Sequence, residues 1–483
     1  MSKIYDCIKR YSENNPDNIS LTYREGESYL QINYRQLYDS INTLSNYLAE
    51  YKGKTIAIVG NNKLEYAICL LSIICNIGDA FLIDKEQNED DIAKVFAQRN
   101  PDLIIVDDDL NLVFESYEVL TFSKVKEILS EKKNFDNDAR FSGNLILHTS
   151  GTTGVPKCVL LNETNYFGVI PELNRKWNVT SEQSCMLIIP LYHIYALVCL
   201  FHGLFAGINN ILEYDYKRLN TLLAETKPCL FMGVPLMYNR IKDVIFEKSG
   251  KKVKTAIKIS NVLRKIGIDV RKKIFKDIHA YFGGQYVFGC SAGSVLPYET
   301  NKFFNDVGLP VYNVYGMTET SGPIAINYKN HNDYKSVGEI LDVNHVKIIN
   351  KDCEGIGSVY VKGGNVFDGY LKDDKQECFL DGYFDTGDIG YIKDKFLYVI
   401  GRKKNILIGD NGKNISPEEI NKKILKNTKI HDCNVIMEDN RLTTIVNTDL
   451  SEDELKKYIE SINNKLPLYK NICKFKIIDK KVK

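Results

Sequence analysis

The chain has 483 residues, 44% of them hydrophobic and 26% charged, the balance of a soluble globular protein with room for two large domains or about three smaller ones. Lysine plus arginine (63) nearly equals aspartate plus glutamate (62), no charge run is long, and the total gives no electrostatic footprint for nucleic acid. Twelve cysteines lie scattered without CxxC pairs or ligand-like spacing, and the chain opens without a secretion signal, so the expected setting is the reducing cytoplasm.

In chain order, Ile4, Cys7, Ile8 and Tyr11 fall on one face of a surface helix. Residues 34–51 are amphipathic, 54–60 read as a buried strand and 64–78 as a helix, and 79–84 and 102–108 are strands again. This alternation predicts a layered α/β architecture with largely parallel pairing. Two apolar stretches, 66–75 and 194–208, fall short of the ~20 residues a bilayer span needs and are read as buried helices, so no membrane span is expected. From about residue 355 the texture changes: GSVYVKGG (357–364) and residues 382–415 are short strands punctuated by Asp-Gly and Asn-Gly, which is β-rich. Ser416, Pro417 and Glu419 then spell a helix start, and SEDELKKYIESINNKL (451–466) opens with the same Ser-x-x-Glu device. A small α+β unit of about eighty residues therefore closes the chain.

The strongest chemical signal is TSGTTGVPK (149–157), directly after the strand run 144–148. Gly151 and Gly154 let backbone N–H groups approach a ligand closely, Thr149, Ser150, Thr152 and Thr153 add hydroxyls, and Lys157 adds a positive charge. Strand, Gly/Ser/Thr-rich loop and lysine together form a phosphate cradle, although the GxxxxGK[ST] spacing of the P-loop is absent. A solvated turn that happens to be rich in Gly and Thr is the bland alternative.

TSGTTGVPK resembles the signature loop of the adenylate-forming superfamily, which includes acyl- and aryl-CoA ligases, peptide-synthetase adenylation domains and beetle luciferases. Three further stretches resemble family motifs in the right order: YGMTET (315–320), FDTGD (384–388) and GRKKNILIGDNGKNISPEEI (401–420). With 29–48 added, the resemblance covers nearly the whole chain, and it is nearest in pattern to fatty-acyl and aryl-CoA ligases. It implies a large domain, 1–403, of layered α/β subdomains with a β-rich subdomain. A small mobile α+β domain, 404–483, would pivot near Lys404.

The residue chemistry agrees. Glu319 can hold Mg²⁺ together with substrate phosphates. Thr318 can donate to a phosphate, and Tyr315 can stack on adenine beside Gly316. In GCSAGSV (289–295), Gly293 and Ser294 leave room for the purine's other face, and Asn313 is expected at the adenine edge. Asp388 can accept from the ribose hydroxyls, with Arg402 approaching the same sugar. PLYHIYAL (190–197) occupies the family's acyl-pocket position, with His193, Tyr195 and Gly316 as pocket residues; His193 taken alone reads first as a satisfied core histidine, and the resemblance raises a pocket-gating role to stand level with that reading. The segment is apolar, and an unpaired ammonium there would be costly, so a non-amino acid is expected. Gly412 in IGDNGKN (408–414) is expected to face a thiol channel.

The implied activity is ATP- and Mg²⁺-dependent conversion of a carboxylic acid to acyl-AMP, then transfer to coenzyme A or to the phosphopantetheine of an acyl carrier protein. The chain departs from the family pattern in two places. Cys158 stands where a Gly is usual. The final LPLYKNICKFKIIDKKVK reaches no Gly-Lys pair of the family's kind, so none of Lys480, Lys481 and Lys483 is assigned the terminal lysine's role. A nucleotide- or acyl-binding protein impaired in adenylation is the expectation's rival.

Overall fold

The computed structural model describes residues 2–131, 141–149, 156–372, 378–408, 414–438 and 441–478. The expected loop residues Ser150, Gly151, Thr152, Thr153 and Gly154, the channel residue Gly412, and Lys480, Lys481 and Lys483 lie outside the described residues. The chain divides into two compact units: Met1–Asn344 with Gly363–Cys378, and His345–Lys362 with Phe379–Lys483. The expected boundary between 403 and 404 falls inside the second of these, where Ser416 Oγ donates to Ile400 O at 3.0 Å.

The first unit contains two sheets whose central strands are continuous apolar runs, as parallel strands covered on both faces require. One sheet has six strands in the order Val119–Thr121, Leu103–Val106, Thr55–Val59, Asp79–Ile83, Leu145–Thr149, Lys157–Leu161. Its neighbours are parallel except for the final pair, which is antiparallel. The other sheet runs from Ser28–Asn33 and Ile19–Glu25 through Asn209–Leu212, Ser184–Leu187, Leu230–Gly233 and Phe288–Ser291 to Val311–Met317, Gly322–Ile326 and Gly338–Ile340. It is parallel from Ile19–Glu25 to Val311–Met317 and antiparallel at its ends. The apolar stretch expected to be a core helix is Ile194–Ala206, buried everywhere except at Tyr195 and Phe205. No helix among the described residues is long and apolar enough to cross a membrane.

One buried amide ties the two sheets together. Asn62, just past the end of Thr55–Val59, points its Nδ2 at the carbonyls of Leu187 (3.3 Å), Ile189 (2.9 Å) and Glu213 (3.1 Å), and its Oδ1 accepts from Leu191 N at 2.8 Å. Those partners sit at and beyond the ends of Ser184–Leu187 and Asn209–Leu212. An asparagine side chain offers two donors and an acceptor, and here every one of them is used.

In the second unit, Asn344–Ile349, Gly357–Gly363, Tyr383–Lys393 and Phe396–Arg402 follow one another across a sheet. A smaller sheet of Ile430–Glu438, Arg441–Thr448 and Lys474–Ile477 packs with helices Pro417–Ile424 and Glu452–Asn463 around Ile420, Val435, Val446, Leu455 and Ile459. Both helix starts are capped as the sequence predicts: Ser416 accepts from Glu419 N, and Ser451 from Glu454 N. Only the second forms the reciprocal box, because the Glu419 carboxylate instead takes Lys423 and Lys470.

Two stability predictions follow from these buried groups. Asn62→Leu leaves the Leu191 amide without its acceptor and removes the side-chain donor from three carbonyls, and should lower the unfolding free energy by about 3 kcal/mol in a denaturant titration; a loss under about 1 kcal/mol would contradict the clamp. His202 is buried with Nε2 at 3.2 Å from Asn174 Oδ1, and burial holds its imidazole down to about 4. In the unfolded chain a histidine protonates near its ordinary ~6.5, so between the two values the unfolded state binds more protons. Stability should therefore fall as pH drops from about 6.5 to about 4, by about 3 kcal/mol from this group. His202→Gln should flatten that part of the curve, and an unchanged slope would contradict the assignment.

Candidate active site

The two ends of the signature motif lie on antiparallel strand neighbours: Thr149 stands opposite Lys157, and His148 opposite Cys158. The lysine is therefore placed by strand register and not by the first turn of a helix, the device of the P-loop. Cys158 fits the core here. It is fully buried, its N–H donates to Gln98 Oε1 at 3.0 Å, and burial pushes its thiol up to about 12, which leaves it unreactive.

Strand Val311–Met317 carries the second motif and ends in a single 3-10 turn, Thr318–Thr320. The Thr320 hydroxyl locks that turn, accepting from Met317 N at 3.1 Å and donating to Gly322 O at 2.7 Å. Glu319 is held inward with 5% of its surface exposed. The stretch 365–371 then binds both motifs. Asn365 Nδ2 donates to Thr320 O (2.9 Å), Phe367 N to Glu319 O (2.8 Å) and Leu371 N to Cys158 O (3.0 Å), while Tyr370 bridges Val159. The Tyr370 hydroxyl donates to Glu319 Oε1 at 2.7 Å, and Lys157 Nζ stands 4.9 Å from the centre of the same ring. A carboxylate from one sheet and an ammonium from the other are thus brought to one phenol. Sequence reasoning missed Tyr370; its only local signal is an aromatic after the Asp368–Gly369 pair, which is common.

The expected purine residues surround the same strand ends. Gly316 is required, since a Cβ there would lie 1.9 Å from Gly322 O. Gly293 has φ +83°, a conformation that favours glycine, and Ser294 beside it is exposed. Asn313 is buried and donates to Ser336 O at 3.0 Å, while its Oδ1 has no partner among the described residues and remains an available acceptor. Tyr315 and Thr318 are half-buried.

A cavity of about 560 Å³, mostly apolar, opens at the ends of the parallel strands. His193 lines it together with Tyr192, Asn62, Lys85, Met237 and Arg240. Of the three expected pocket residues the cavity takes His193 alone; Gly316 is not on its wall, and the Tyr195 hydroxyl donates to Cys290 O at 3.1 Å. His193 reaches solvent within this concavity, yet the surrounding protein holds its imidazole below the ordinary value, against the opposing charge of Asp84. His148, also missed by sequence reasoning, is lowered by burial in the same way. Its Nε2 accepts from Asp84 N at 3.1 Å, and its Nδ1 lies 3.3 Å from Gln87 Nε2.

In the second unit, Asp388 and Arg402 face each other on adjacent strands. Arg402 Nε lies 3.1 Å from Asp388 Oδ1, and its Nη1 donates to Thr386 O at 3.1 Å. Asp388 is nearly buried, whereas Lys404 is exposed in the turn Lys403–Asn405. Among the described residues no group of three or more His, Cys, Asp or Glu is arranged to hold a metal.

Long-chain-fatty-acid–CoA ligase ACSBG2 of Mus musculus is 26% identical over 465 residues, covering 82% of this chain and 69% of that protein. Long-chain-fatty-acid–CoA ligase FadD15 of Mycobacterium bovis is 29% identical over 300 residues, covering 56% of this chain but only 48% of its own length. Among solved structures, unliganded O-succinylbenzoate coenzyme A synthetase (MenE) of Bacillus subtilis superposes with a TM-score of 0.78 at 20% identity, covering 98% of this chain and 99% of that one. The same enzyme with ATP and magnesium ion gives 0.76 at 20% identity, covering 98% and 96%. These likenesses show the fold. Residues 8–371 match the family described as AMP-binding enzyme, three quarters of the chain including the Lys157 strand, the Glu319 turn and Tyr370. The chain belongs to the AMP-binding enzyme family.

Proposed function

We propose that the chain activates a fatty or aryl carboxylic acid with Mg·ATP and transfers the acyl group to coenzyme A. A carboxylate oxygen attacks the α-phosphorus, the bond to pyrophosphate breaks, and acyl-AMP remains bound. The sulfur of the thiol then attacks the acyl carbon, and AMP leaves. The observation that carries this reading is the meeting of Lys157 and Glu319 at Tyr370, within a chain that belongs to the AMP-binding family. Lys157, Thr149 and Thr318 would hold phosphate oxygens. Glu319 would give the metal one oxygen, phosphate and water supplying the rest, as Mg²⁺ prefers. Tyr315, Asn313 and the Gly293–Ser294 turn would take adenine, and Asp388 with Arg402 would take the ribose. Positioning and charge stabilisation supply most of the rate. The ligase names of the relatives and the apolar lining of the cavity support a fatty or aryl acid. All twelve cysteines are free thiols, which supports a reducing cytoplasmic setting.

ATP–pyrophosphate exchange with a panel of acids tests the reading. Fatty or aryl acids should promote exchange and α-amino acids should not; a robust signal with a free amino acid would overturn the substrate class. Glu319→Gln should lower exchange by roughly 10²–10³-fold while leaving the thermal midpoint in place, and full-rate exchange would overturn the metal assignment. With the product acyl-AMP in hand, coenzyme A and a carrier protein can be compared as acceptors.

We also propose Lys404 as the pivot between a large domain, 1–403, and a small one, 404–483. Lys404→Pro fixes φ at that position. It should impair thioester formation more than acyl-AMP formation, and equal loss of both half-reactions would contradict a pivot there.

A further inference from the structure

Charge is far from evenly spread. Residues 248–276 carry eleven lysines and arginines against the single carboxylate of Asp269, in a chain whose formal net charge is only +1. Apart from Lys248 and Lys276, these basic residues lie on the far part of helix Pro235–Lys265, beyond its non-helical break at Gly250, and on the short helix Arg271–Ile274. The segment is anchored, since Val253, Phe275 and Ile278 belong to the core and Ala256 and Ile257 pack against it. Asp269 is occupied by Arg271 at 2.6 Å, and Arg264 lies 3.9 Å from Asp306. Lys252, Lys258, Lys265, Lys272, Lys273 and Lys276 are exposed.

Large aliphatic side chains stand among these lysines. Ile259, Val262 and Ile266 are 53%, 62% and 67% exposed, and their spacing of three and four puts them on one helix face. Ile268 and Ile274 continue the exposed apolar surface past the helix end. A basic face interleaved with exposed branched aliphatics matches an interface that is anionic at its surface and apolar just beneath. Nucleic acid would answer the lysines and leave the isoleucines in water.

We propose that residues 252–276 dock the protein on an anionic phospholipid membrane. The lysines meet lipid phosphates, and Ile259, Val262 and Ile266 enter the boundary between headgroups and acyl chains. The same helix begins at the wall of the cavity, where Leu236, Met237 and Arg240 line it, so docking would set that cavity's helix beside a reservoir of apolar acids. Docking itself does not depend on the proposed reaction.

The test is co-sedimentation of the full chain with vesicles of mixed phosphatidylglycerol and phosphatidylcholine, and with phosphatidylcholine vesicles alone. Binding should need the anionic lipid and should weaken as salt rises. Lys258→Glu, Lys265→Glu, Lys272→Glu and Lys273→Glu combined should reduce partitioning at least about tenfold, and Ile259→Ser with Val262→Ser should do the same. The matching Lys→Arg set should bind as the unaltered chain does. Both variants should keep the thermal midpoint and their vesicle-free exchange rate with benzoate. Equal binding to neutral vesicles, binding unchanged by either variant, or a duplex oligonucleotide that binds the same lysines more tightly than vesicles do would overturn the proposal. So would a concentration-dependent dimer that the Ile259→Ser, Val262→Ser pair dissolves. If exchange fails with every acid while sedimentation succeeds, the reading of function falls and the docking surface stands.

Discussion

The candidate chemistry depends on one irregular stretch of chain. Residues 365–371 bond at one end to the turn that carries Glu319 and at the other to the strand that carries Lys157. Those two elements belong to different sheets, and their motifs are some 160 residues apart in sequence. No local propensity can bring them together; three backbone-directed bonds and one bridge do. The consequence is electrostatic. Glu319 is nearly buried and its carboxylate accepts from the Tyr370 hydroxyl, while Lys157 rests over the electron-rich face of the same ring. The carboxylate and the ammonium thus meet at one phenol ring.

A second set of polar bonds shapes the cavity. Asn62 pins the ends of strands from both sheets, and its neighbour Asn61 continues the network. Asp107 is fully buried, and although burial alone would raise its carboxyl, hydrogen bonds from Lys63 and Asn61 hold it below the ordinary value. Asn61 Oδ1 in turn accepts from Lys85 Nζ at 2.7 Å on the cavity wall. A buried charge therefore orients a solvent-facing cation through one amide. This places a fixed polar rim on a mostly apolar cavity, at the strand ends where α/β sheets bind ligands.

Much of this was legible in the sequence, for identifiable reasons. Continuous apolar runs such as 54–60 and 102–108 are parallel strands because only a doubly covered strand can bury both faces. Ser416 and Ser451 announce their helices because capping is local. The order of four motifs carried the family. What escaped was non-local. Tyr370 has no spacing to mark it, Asn62 looks like any loop asparagine, and the pairing of Thr149 with Lys157 needs the return strand to be seen. His193 is ambiguous in sequence because an apolar neighbourhood suits a core and a cavity wall equally. The near-zero total charge hid the basic face, since an average over the whole chain erases a dense segment that the remainder offsets.

The central claim is that a carboxylate oxygen bonds to the α-phosphorus of ATP at this site. It is tested most directly by tracing that oxygen. An accepted acid labelled with ¹⁸O in its carboxylate, incubated with ATP, Mg²⁺ and coenzyme A, should deliver one labelled oxygen to AMP, read by mass spectrometry, with none in pyrophosphate. Label in inorganic phosphate with formation of ADP would contradict the account, as would AMP carrying no label while thioester accumulates.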